Sequence, residues 1–215
     1  MSKCQNQSIP STEHIVVTGS STIEVKPDLA IISVSIQKAD NLMVEAKANV
    51  DERTYNLINY LKSVGVRERD INTSKLRIAP NREYRNGEYI EKDYKIDRDL
   101  TIKLRDLAKY DEVLERLVQI PIDKVPNIKM EISNRKGVAE CAIREAIENA
   151  KSEAKLIAEL MSVKLGPIYS ISNAWSSDKS SIGAAVSRAN YNESSFEPGT
   201  IEINGGIEVV YYLEK

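Results

Sequence analysis

An α+β fold, with antiparallel sheet and helices packed on one side of it, is the class that three observations predict. Apolar residues alternate with polar ones in several long runs, most regularly over residues 94–104 and 201–213, as strands with one buried face do. Three other runs place their apolar residues three and four apart, the spacing of a helix with one buried stripe. The runs follow one another as strand, strand, helix, strand, strand, helix, strand, helix, strand, strand, and a chain of simple parallel crossovers does not produce that order. The order also admits two similar sub-halves meeting near residues 105–110, and no short-period repeat is present.

Ile15, Val17, Ile23 and Val25 alternate with polar partners, and Gly19, Ser20 and Ser21 between them predict a strand with a bulge. Pro27 and Asp28 then turn the chain. Ile32, Val34 and Ile36 alternate with Ser33 and Ser35, so a hairpin of two strands is expected to open the domain. Asp40 or Asn41 caps a helix carrying Met43, Ala46, Val50, Leu57, Leu61 and Val64 on one side, and Gly65 ends it. Leu76, Ile78 and Pro80 begin a third strand. Asn86 with Gly87 is the composition of a tight hairpin turn. The returning strand puts Tyr94, Ile96, Leu100, Ile102 and Leu104 on one side and Lys95, Asp97, Asp99, Thr101 and Lys103 on the other, with Arg98 among the apolar set.

A short helix presents Tyr110, Val113, Leu114, Leu117 and Val118 inward and runs to Ile120, before Pro121. Val125, Ile128, Met130 and Ile132 suggest a strand. Ala139, Ile143, Ala146, Ala150, Ala154, Ile157 and Met161 then form a seam along a long helix, rich in alanine and therefore suited to a close approach to its neighbour. Cys141 is expected on the apolar side of that helix as a small core residue. Gly166 and Pro167 stop the helix, and 168–171 form a strand. Residues 172–198 show no sustained period and are treated as a long excursion, a kind of segment that is functional or mobile where it occurs. The last strand carries Ile201, Ile203, Ile207, Val209, Tyr211 and Leu213, with a bulge expected at Gly205 and Gly206. The expected organisation is a flexible N-terminal tail over 1–13 and a single domain over 14–215.

Composition narrows the function classes. With 41% apolar and 29% charged residues among 215, the chain is expected to fold in water around a substantial core. Thirty Lys and Arg against 32 Asp and Glu provide no general field for polyanions, so nucleic acid is not expected as a partner. One His and two Cys are too few donors for an ordinary zinc site. No apolar run approaches the roughly 18 residues that cross a bilayer, and no signal peptide begins the numbered chain. Cys4 has two readings: an idle cysteine in a loose tail, or the lipid-anchored first residue of an exported lipoprotein, through which alone the chain is expected to meet a membrane.

A search for reactive groups ends without a catalytic set. His14 stands at the start of a strand beside the tail, with no nucleophile assigned to it. Gly205 and Gly206 precede no helix, so they do not form a phosphate-cradling loop. Asp93, Asp97 and Asp99 with Glu88 and Glu91 are better read as a solvated or inter-subunit face, neutralised by Lys95 and Lys103, than as a cation site or an acid–base pair. Asn6, Asn72 and Asn192 open Asn-x-Ser triplets, which matter where the source glycosylates exported proteins. Arg98 is expected at a sheet end or subunit contact opposite a carboxylate. Trp175 and Phe196, the single tryptophan and phenylalanine, lie in the 172–198 excursion and are candidate contacts to a partner or ligand.

The segments EVKPD (24–28), LRIAP (76–80), TIKLRDL (101–107), AIREAIENAKSEAKLIAELMSVKLGPIYSI (142–171) and EPGTIEINGGIEVVYYLE (197–214), in this order and spacing, resemble the SIMPL-domain family from about residue 14 to 214. The family includes bacterial periplasmic and outer-membrane-associated proteins, one described as an oxidative-stress defence protein and another as a surface antigen assembling into a channel-like ring, and a eukaryotic kinase-associated signalling protein. It brings no established catalytic residues or cofactors. The resemblance therefore implies a SIMPL-domain fold and a non-enzymatic, self-assembling protein of the periplasm or cell envelope, with a possible role in oxidative-stress tolerance. Without an export signal the compartment would be the cytoplasm. The alternative is a binding module that captures a protein or small apolar ligand through the 172–198 loop. One departure stands out: relatives commonly carry a small-aromatic step such as Gly-Tyr before the long central strand, where this chain reads DYKIDRDL (93–100).

Overall fold

A computed structural model describes residues 10–85, 88–120, 126–173 and 198–214, and of residues 82–85 and 88–91 the backbone only. The α+β class with antiparallel sheets holds: among the described residues eight strands form two sheets, and every strand pairing there is antiparallel. The described chain divides into two compact units. One is built from the described residues of Met1–Lys26, Asn134–Arg188 and Gly199–Lys215, the other chiefly from Pro27–Ser133. Residues 105–110 fall inside the second unit. Among the described residues, no helix is long and apolar enough to cross a membrane.

The first unit is a three-stranded sheet in the order β1 (His14–Val25), β8 (Ile201–Glu214), β7 (Lys164–Ser172), covered by α3 (Arg135–Leu160). β1 pairs with β8 without interruption from His14 opposite Tyr212 to Val25 opposite Ile201, so the bulges expected at Gly19 and at Gly205–Gly206 are absent. The glycines serve the helix instead. A Cβ on Gly19 would overlap the Ala146 carbonyl oxygen, and one on Gly205 would lie 2.5 Å from the Ala142 carbonyl. The buried stripe of α3 is Ala142, Ala146, Ala150, Ala154 and Ala158, and glycine against alanine brings helix and sheet backbones together. Ser21 Oγ donates to Ala142 O at 2.6 Å and Asn149 Nδ2 to Ser20 O at 2.8 Å, so the close approach also satisfies polar groups.

That stripe corrects two expectations. Cys141, one residue and about 100° before Ala142, is exposed rather than in the core. Met161 is exposed, and the helix ends at Leu160, before Gly166 and Pro167, both of which lie in β7. Ser162 ends it in the left-handed region at φ 57°, with Val163 N donating to Ala158 O and Ser162 N to Glu159 O. The start is a side-chain cap: Asn134 Oδ1 accepts from Gly137 N at 3.2 Å.

The second unit is a sheet in the order β3 (Ile71–Thr73), β5 (Glu88–Leu104), β2 (Leu29–Asp40), β6 (Asn127–Glu131), with β4 (Arg77–Arg85) also on β5. The opening hairpin does not form: β2 pairs with β5 and β6, while β1 belongs to the other sheet. The β4–β5 hairpin does form, with Arg85 opposite Glu88; Asn86 and Gly87 lie outside the described residues. Ala30, Ile32, Val34 and Ile36 of β2 and Ile96, Leu100, Ile102 and Leu104 of β5 make the sheet side of one core. Ala46, Val50, Leu57 and Leu61 of α1 (Met43–Ser63) and Val113 and Leu117 of α2 (Tyr110–Gln119) pack on that face. Thr54 fills the gap in the α1 stripe between Val50 and Leu57, buried, with Oγ1 donating to Val50 O at 2.7 Å. Val118, expected inward on α2, is 78% exposed, since it lies about 100° past Leu117.

Asp40 Oδ1 accepts from Leu42 N at 3.1 Å just before α1, although the residue at the cap position is Leu42. Gly65 does end that helix. At φ +89° it allows Val66 N to donate to Leu61 O and its own N to donate to Lys62 O, the paired bonds that turn a chain out of a helix. At the other end of the unit, Asp28 accepts from Ser133 N at 2.7 Å and from Ser133 Oγ, closing the place where the chain enters and leaves.

Candidate functional site

Three groupings carry the functional candidates, each within one unit. The first is the core-side face of β7. Register puts Ile171 opposite Val209 and Ile168 opposite Tyr211, both residues of the β8 face that packs against α3. The helix lies mainly along β1 and β8, so Ile168 and Ile171 remain 49% and 58% exposed at the sheet edge. On the opposite face Tyr169 stacks edge-on to Tyr212 at 5.3 Å. Pairing along β7 is irregular between Leu165 and Ile168 and again between Ile168 and Ser170, around Pro167. Bulges and a proline spoil an edge as a template for strand addition, so what this face offers is side chains.

The second grouping is the polar face of the second sheet. Arg77 stands opposite Asp97 in register; its Nε and Nη2 donate to Asp97 Oδ2 at 2.9 and 2.6 Å, and Nη2 reaches Asp99 Oδ2 at 3.3 Å. Asp97's hydrogen bond and charge, with help from Asp99, raise the Arg77 pKa. The neutralising cation thus comes from the neighbouring strand rather than from Lys95 or Lys103, because a residue directly opposite lies closer than one two positions along. Asp93 accepts from Asn81 Nδ2 at 2.7 Å. Among the described residues no three His, Cys, Asp or Glu side chains gather as metal ligands would; the side chains of Glu88 and Glu91 lie outside that description.

Arg98 is on the core side of β5, as its parity requires, opposite Ile36. It is not at a sheet end, since pairing continues through Asp97 and Asp99 on either side. Its Nη2 pairs with Asp51 Oδ1 of α1 at 3.2 Å, and its Nε is buried without a hydrogen bond. His14 Nδ1 lies 2.8 Å from Thr12 O at the start of β1. Trp175, Phe196 and Cys4 lie outside the described residues.

The third grouping was not anticipated. After α1 a 3₁₀ turn over Glu68–Asp70 carries the Asp70 carboxylate inward to 6% exposure. Arg67 Nε donates to Asp70 Oδ2 at 2.7 Å, and from the end of β5 Arg105 Nε and Nη2 donate at 3.2 and 3.3 Å. Burial pushes the Asp70 pKa up, but the bonds from Arg105 and Arg67 together outweigh it and the value is lowered. Lys109 Nζ donates to Val64 O at 2.5 Å, satisfying a carbonyl at the C-terminal end of α1. A cavity of about 210 Å³ opens among these groups. Only the three-residue spacing of Arg67 and Asp70 was visible in the sequence; Arg105 joins them through the fold.

The SIMPL family profile, described as a protein of unknown function (DUF541), matches residues 15–211. The uncharacterized protein YggE of Escherichia coli strain K12 is 26% identical over 214 residues, covering 98% of this chain and 87% of that protein. YggE of Edwardsiella ictaluri is 27% identical over 218 residues, covering 98% and 91%. The 26 kDa periplasmic immunogenic protein of Brucella melitensis biotype 1 is 26% identical over 173 residues, covering 78% of this chain and 69% of its own length.

Proposed function

We propose, from the premise that this chain belongs to the SIMPL family, that it is a non-enzymatic protein of the cell envelope that works by assembling with copies of itself. The observation that carries the reading is the uncovered face of β7. Ile168 and Ile171 occupy positions equivalent to core residues of β8, yet α3 does not cover them. Apolar side chains left at the end of a core are stabilised by a second surface laid over them, at about 25 cal/mol for each Å² removed from water. A second copy of the chain supplies that surface, through side-chain packing rather than extension of the sheet.

Sedimentation velocity on the full chain tests the reading. The expected mass is a multiple of the single chain, and the double variant Ile168→Lys, Ile171→Lys shifts it toward the monomer while circular dichroism stays unchanged. A strict monomer throughout the micromolar range would sink the proposal. For the compartment, the support is the word periplasmic in the name of the Brucella melitensis relative, and fractionation of the native host reads it directly. A contribution to oxidative-stress tolerance rests on the family resemblance alone, and peroxide survival of a strain lacking the gene is its measurement.

A further inference from the structure

The geometry points to a binding site for a small dianionic oxoanion, phosphate or a phosphate monoester, in the cavity between the end of α1 and the end of β5. Four cations, Arg67, Lys103, Arg105 and Lys109, line it against two carboxylates, Asp70 and Asp106, so the cavity carries a local excess of two positive charges on a chain whose formal net charge is -2. The buried Asp70 carboxylate faces both guanidiniums, and beyond it Arg105 feels only the weaker attraction of Asp28, so Arg67 and Arg105 are not both neutralised by Asp70.

The cations are arranged before any ligand arrives. Asp70 engages Nε and Nη2 of Arg67 and of Arg105, and among the described residues nothing accepts from Nη1 of either guanidinium. Both side chains are partly exposed, and both line the cavity. Side chains already held by a carboxylate lose little rotamer freedom when an anion binds, and planar guanidinium forks suit the spaced oxygens of a phosphate. Lys103 belongs to the same face. Ile71, next to Asp70, is paired with Ile102, next to Lys103, and Lys103 and Arg105 line the same cavity as Asp70. At about 210 Å³ the cavity lies below the roughly 300–1,000 Å³ of sites for drug-sized molecules, which fits a small anion.

Isothermal titration of the full chain with inorganic phosphate, and separately with glycerol 3-phosphate, at ionic strength held constant with sodium chloride, tests the site. The expected result is saturable binding of one ion per chain in the millimolar range, weakened about tenfold by Arg67→Gln and by Lys103→Gln. Tighter binding of the monoester assigns the ester as ligand, and equal or weaker binding assigns the free ion; both support the site. Lys103 is exposed, so Lys103→Gln keeps the test interpretable if loss of Arg67 disturbs the fold. Absence of saturation, or affinity unchanged in the Lys103→Gln protein, overturns the inference and leaves the cluster as an ion-pair clamp.

Discussion

Asp70 illustrates how a residue that desolvation disfavours becomes an organising centre. Burial penalises its charged form, and the guanidiniums of Arg105 and Arg67 reverse the penalty, so its folded pKa lies below that of the unfolded chain. The sign of the resulting pH dependence follows. The stabilisation is complete above the unfolded carboxyl value, about 3.9, and is lost as the pH falls through the folded value. Asp70→Asn is therefore expected to lower the urea midpoint at about pH 7, and the gap from the parent protein should be narrower at about pH 3, below the unfolded carboxyl value. A gap of the same size at both pH values would show that the ionised carboxylate is not what matters. Asp28 follows the same logic, its pKa lowered by the hydrogen bonds from the Ser133 side chain and backbone.

At the scale of elements, helix docking proceeds by two means. α3 reaches its sheet by removing side chains: Gly19 and Gly205 face Ala146 and Ala142, and larger residues at these positions would separate the backbones that Ser21 and Asn149 bond across. α1 instead meets a charged side chain on the core side of β5. Arg98 is 24% exposed, keeps an orphaned Nε and shares Asp51 with Lys47. Removing Arg98 leaves Asp51 paired with Lys47, so an apolar replacement there costs little, whereas removing Asp51 strands the partly desolvated Arg98 charge. Arg98→Met is expected to be neutral or stabilising by about 1 kcal/mol, and Asp51→Ala to cost about 1–3 kcal/mol, both read by chemical denaturation. If Arg98→Met proves the more damaging of the two, the pair is a net source of stability.

For the whole molecule, the proposed self-assembly would tie stability to concentration. If Ile168 and Ile171, exposed in the single chain, are buried against another copy, unfolding starts from the assembled state and Tm rises with protein concentration by mass action. The parent protein is expected to show that rise across a hundredfold dilution series, about 2.7 kcal/mol of linkage when partner concentration reaches one hundred times Kd. Ile171→Lys should flatten it, and a Tm independent of concentration in the parent would count against assembly as the working state. Net charge near zero, at -2, opposes such association only weakly.

The sequence by itself determined the local grammar: the alternation that sets the two faces of β2, β5 and β8, the Asn86–Gly87 signal between β4 and β5, Gly65 at the end of α1 and the alanine seam of α3. These are legible because side-chain periodicity and turn chemistry act over a few residues. Tertiary structure decided the partners. Alternation states which face of β1 is buried and not which strand lies beside it, so pairing with β8 instead of β2 came from the fold, as did the use of Gly19 and Gly205 for helix contact rather than bulges. The same holds for Cys141, whose exposure depends on which alanine row meets the sheet, and for the cluster that joins Arg67 and Asp70 to Arg105. Contacts between distant residues depend on how the whole chain packs, and nothing in the local period of a segment encodes them.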